Sequence, residues 1–157
     1  MKVIVAFSFA SQGSKQSPCN ERLADVVIKI QKETRAKVMA QWEVARIVEK
    51  QGLELAHVVE PLVDGSYLST SAVWLEVRAY LVFYQINEVI IVANPFIHGY
   101  AIERMIKKDG FKVNNSFDQE IGQIGFDQNS VQWWTRGPLR FIFYAMLSFL
   151  HLAKYFR

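Results

Sequence analysis

The residue types that could do chemistry in this chain gather where apolar runs stop. Ser8, Ser11, Gln12 and Gly13 follow one such run, Gln41, Trp42 and Glu43 follow a second, and Asn94 and His98 follow a third. The first loop adds Lys15 near a helix start, and hydroxyls, a glycine and a cation there suit a phosphate or carboxylate held by backbone N–H groups. It is neither a Walker loop nor G-x-G-x-x-G, and it reads equally well as an ordinary polar loop. His98 offers a ring nitrogen for a ligand, a proton transfer or a metal; its alternative role is structural, turning the chain. Glu43 could act as a base or hold a ribose or amine, whereas Glu76 reads as an exposed or ion-paired helix residue. Trp42 either stacks on a planar ligand or closes a core edge.

Several other chemistries find no support. There is no H-x-x-x-H or C-x-x-C spacing, so no metal site is expected. No G-x-S-x-G elbow points to a hydrolase triad. His57 and His151 have no obvious partner. The one cysteine, Cys19, forbids an internal disulfide and has no cation fixed beside it to make a reactive thiol.

The elements that must position these residues follow from hydrophobic patterning. Lys2 to Phe9, Lys37 to Ala40, Glu54 to Val59, Glu88 to Ala93 and Phe111 to Val113 read as strands. Between them lie helices from Asn20 to about Glu33, from Glu43 to Gly52, from Ser69 or Thr70 to about Gln85, and from Gly99 to Lys108. Strands that alternate with amphipathic helices require crossover connections, hence a parallel sheet covered on both faces. The expectation is a three-layer Rossmann-like α/β domain with about five strands in the order 3-2-1-4-5, followed by a C-terminal helix. Such sheets bind ligands beyond the carboxyl ends of their strands, where strand order reverses. The groups after the first and fourth strands would then face each other across one crevice.

The length of 157 residues, with 51% hydrophobic and 21% charged residues, fits one domain: a core over 1–113, a polar loop region over 114–137 and a helix over 138–157. The apolar start breaks at Ser11-Gln12-Gly13 and reads as a strand rather than a signal peptide, so a cytoplasmic location is expected. No acidic residue follows Asp127, while Arg136, Arg140, Lys154 and Arg157 do. The last helix is then either core packing with basic ends or a surface for anionic lipid. It is too short, with Arg140 too near its start, for a membrane span. Nucleic acid is not an expected partner; self-association through this helix is.

The order of elements resembles the bacterial YdcF/SanA/ElyC-like domains over Lys2 to Val113. "SYLSTSAVW" is similar to that family's Ser/Thr-rich segment, with Thr70 the best match, and "VANPFIHGYAIER" to its strand-end segment, with His98 matching. Ala101 stands where the family has an arginine, Arg104 comes one turn later, and Ala72 and Val73 replace its acidic and amide residues. The resemblance implies a Rossmann-like fold, cell-envelope associations, His98 as the catalytic candidate and S-adenosylmethionine as a candidate ligand. Together with the residues, it implies a small-molecule site for a nucleotide-like or phosphorylated ligand, lined by Ser8, Ser11, Gly13, Gln41, Glu43, Thr70, Asn94 and His98. The departures motivate a second reading, a non-catalytic protein that keeps the fold and associates through its aromatic last helix.

Overall fold

The computed structural model describes residues 1–10, 16–61 and 68–149, with Ile97, His98, Ser148 and Phe149 described by their backbone alone. Five strands, β1 (Lys2–Ala6), β2 (Lys37–Gln41), β3 (His57–Val59), β4 (Glu88–Val92) and β5 (Lys112–Asn114), form one sheet in the order β3-β2-β1-β4-β5. Every pairing is parallel, with Ile4 opposite Val38 on one side and Ile90 on the other. The expected fold class and strand order are those observed.

Alternation along the central strands divides the interior into two cores. Ile4, Ala6, Val38, Ala40, Ile90 and Val92 face helices α1 (Pro18–Thr34) and α2 (Trp42–Lys50). Val3, Val5, Met39, Val89 and Ile91 face α3 (Thr70–Phe83) and α4 (Tyr100–Lys108). Strands buried on both faces have no polar side, which is why they read as continuous apolar runs.

Helix ends differ from expectation for identifiable reasons. Helix α1 begins at Pro18, because Ser17 accepts a hydrogen bond from the Cys19 N–H and Pro18 sits where a missing N–H costs nothing. Asn20, where the sequence places the helix start, lies inside the helix and turns into the core. Helix α3 starts as expected, with Ser69 capping it by accepting from the Ala72 N–H. A turn of π-helix (Pro95–Gly99) precedes α4, closed by the Gly99 N–H donating to the Asn94 carbonyl.

The polar stretch after β5 folds into a short helix, α5 (Asp118–Ile121), and a 3-10 turn (Trp133–Thr135), before α6 (Pro138–Phe149). Ile124 enters the first core completely. Among the described residues no helix is long and apolar enough to cross a membrane.

Candidate functional site

The backbone leaving β1 hands its N–H groups to three successive partners. Phe7 donates to the Val92 carbonyl of β4 at 2.9 Å. Ser8 donates to Oε1 of Gln41, at the end of β2, at 3.2 Å. Phe9 donates to Oδ1 of Asn20 in α1 at 2.7 Å, and the Asn20 amide returns a bond to the Ala10 carbonyl at 3.2 Å. Ala10 is held at φ 66°, a conformation unfavourable for any residue with a Cβ. Buried polar side chains thus fix the chain as it passes over the sheet edge.

This fixed segment lines a cavity of about 30 Å³, with Gln41, Glu43 and Thr70 on other walls and Gln132, Trp134 and Thr135 completing it. A space of this size holds about one or two waters, or one polar head of a ligand. Glu43 stands on the first turn of α2, and burial pushes its carboxyl above the usual carboxylate range. Its own backbone N–H, hydrogen bonds with Ser8 and Gln41, and the charge of Arg46 pull the other way. Oε2 of Glu43 is buried without a hydrogen-bond partner. So is Nε1 of the neighbouring Trp42, whose ring lies under the Arg46 guanidinium at 4.5 Å.

Of the residues expected to line a site, the fold therefore brings together Ser8, Gln41, Glu43 and Thr70. Ser11 and Gly13 lie outside the described residues. His98 lies in the π-helical turn, and its side chain is likewise outside them.

Asn94 does not line this cavity. Completely buried, it donates to the carbonyls of Gly125 and Ile124 at 3.0 and 3.4 Å and accepts from the Phe96 N–H at 3.0 Å. The Phe126 ring meets Phe9, beyond β1, at 6.0 Å and Phe96, beyond β4, at 5.4 Å. The groups after β1 and β4 thus meet through the chain's own residues 124–126 rather than across an open crevice. Neither a family model, a curated protein nor a solved structure matches the chain.

Geometry alone therefore ranks the remaining chemistry. A larger cavity, about 250 Å³, lies beside β4 and β5 against Tyr100, Glu103, Asn114 and Asp118. Its polar groups are largely spoken for: Glu103 pairs with Lys107 and accepts from Asn115, and Asn114 donates to Glu88. Cys19 is buried and its Sγ donates to the Gly125 carbonyl; desolvation, then Asp127, raises its pKa to about 11. His57, which sequence left without a partner, has Nε2 at 2.6 Å from Glu76 Oε1 and stacks on Tyr80. Among the described residues no cluster of His, Cys, Asp or Glu could hold a metal ion.

Sequence reasoning missed Gln132, Trp134 and Thr135. No periodicity marks them, and only the fold carries them back over β1. The two adjacent tryptophans were the available signal, since Trp134 stacks on Tyr144 of α6 and so anchors this wall.

Proposed function

We propose that the protein binds a small molecule at the carboxyl ends of β1 and β2, inserting a hydroxyl or ammonium group against Glu43. The supporting observation is the buried Glu43 Oε2, which lacks a hydrogen-bond partner. Leaving a buried acceptor unsatisfied costs about 1–3 kcal/mol, and a donor from a ligand removes that cost. The cavity's volume suits one such group, with the rest of the ligand outside it. A ribose hydroxyl of a nucleotide-like ligand meets this requirement, and S-adenosylmethionine offers both a ribose and an amine. The likeness to YdcF/SanA/ElyC-like domains supports the same sheet edge. On this reading the protein is a bacterial, cytoplasmic relative of that group.

The test is a melting-temperature screen of the full chain with adenosine, S-adenosylmethionine and sugar phosphates, repeated with Glu43→Gln. A ligand at about 100 times its Kd stabilises the fold by about 2.7 kcal/mol. The expected result is a rise with a ribose- or amine-bearing ligand that shrinks in the variant. No rise with any compound, or a rise the variant leaves intact, overturns the proposal.

A further inference from the structure

Helix α6 is apolar on both sides. Its inner side docks on the 3-10 turn, where Tyr144 stacks on Trp134 at 4.7 Å and meets Trp133 at 5.9 Å, while Leu147 is buried. Its outer side carries Leu139, Ile142 and Met146, which are 80%, 54% and 58% exposed, and on its flank Phe143, 52% exposed, whose ring also meets Trp133 at 6.2 Å. The spacing i, i+3, i+4, i+7 puts these four on one stripe. Scattered exposed apolar residues are ordinary, but a helical stripe of four large ones marks a contact surface.

The charge of this end of the sequence says what covers the stripe. All 15 acidic residues lie at or before Asp127, while Arg136, Arg140, Lys154 and Arg157 follow it. The preceding residues carry one more acidic than basic group, so the net charge of +3 comes wholly from this end of the chain. Arg140 stands exposed on the flank of the stripe, about 100° around the helix from Leu139 and one turn before Tyr144. A second copy of the helix would supply no acidic partner for these charges. An anionic surface with an apolar interior matches both the stripe and its charge, and tryptophan and tyrosine favour that kind of boundary.

We infer that α6 is a docking helix for an anionic lipid surface, lying in the plane of the interface with Leu139, Ile142, Phe143 and Met146 inserted. Arg140 contacts the headgroups. The attraction to anionic lipid is screened by salt, and the apolar insertion adds a salt-insensitive part. The exposed residues of α3, Leu75, Val82 and Phe83, lack this charge bias, since Glu76 and Arg78 lie among them.

The test is flotation of the full chain with vesicles of phosphatidylcholine alone and of equal parts phosphatidylcholine and phosphatidylglycerol, at low and high salt. Binding is expected to the mixed vesicles at low salt and not to phosphatidylcholine alone. Ile142→Ser with Met146→Ser should weaken it by about tenfold or more, and Arg140→Glu should weaken it as well. Circular dichroism checks that the double variant is folded; if it is not, Leu139→Ser, at the most exposed position, replaces it. Absence of flotation at low salt, or flotation undiminished by these variants, overturns the inference. So does a dimer, measured by light scattering, that dissociates in the double variant while lipid binding is absent, because the stripe is then a protein interface.

Discussion

Ser17 and Asp127, 110 positions apart, share a buried hydrogen bond in which Ser17 Oγ donates to Asp127 Oδ2 at 2.8 Å. The same hydroxyl accepts from the Cys19 N–H and so caps α1. One side chain thereby starts the first helix and holds the segment that completes the cavity. Ser17→Ala removes both contacts, and the expected loss is about 1–3 kcal/mol by urea unfolding, with ligand stabilisation also reduced.

Glu43 makes stability depend on pH in a defined sense. Its folded-state pKa is raised, so above the ordinary carboxyl value the folded protein holds a proton that the unfolded chain has released. Stability relative to Glu43→Gln is therefore expected to fall as pH rises from about 4.3 through the raised value. Paired melts of the two proteins from about pH 4 to pH 8 measure the difference, and a wild-type curve parallel to the variant's contradicts the burial argument.

Cys19 should be chemically silent in the folded protein. With its pKa at about 11 and its sulfur buried, about one thiol in a thousand is ionised at pH 8, and that one is screened from reagent. A disulfide-exchange reagent is expected to label it only after denaturant is added. Rapid labelling of the native protein would show that the Gly125 contact opens readily.

The two-core arrangement separates residues by cost. Ile90 lies wholly inside the core between α1 and β4, and Ile90→Ala is expected to cost about 2–5 kcal/mol. Leu139→Ser, on the outer stripe of α6, should stay within about 0.5 kcal/mol. Denaturant midpoints distinguish the two directly.

Sequence exposed the sheet well because its signal is local. Val3 to Ala6 and Val89 to Val92 are buried on both faces, so each strand announces itself without reference to any other. Parallel pairing followed from the crossover helices, and the order 3-2-1-4-5 from the arrangement usual in such sheets. Ser8, Gln41, Glu43 and Thr70 were legible for a related reason, since they sit at strand exits or a helix start. What was not legible depends on distant partners. Asn94 looked like a site residue by position, yet its amide is committed to a segment 30 residues later. Asn20 looked like the start of a helix, but Ser17 and Pro18 start it earlier and free Asn20 to clamp Phe9 and Ala10. His57 gained its partner only when α3 placed Glu76 beside β3.

Three side chains made earlier, Ser17, Cys19 and Asn94, hold residues 124–127. On the ribosome those three emerge long before the segment they receive. The sheet and its four covering helices can thus collapse while the edge above β1 and β4 still waits for its closing piece. Phe126 then wedges between Phe9 and Phe96, and residues 132–135 arrive behind it to wall the cavity. The cavity has no complete wall until residue 135 has been made, so whatever occupies it reports a chain whose synthesis has passed that point.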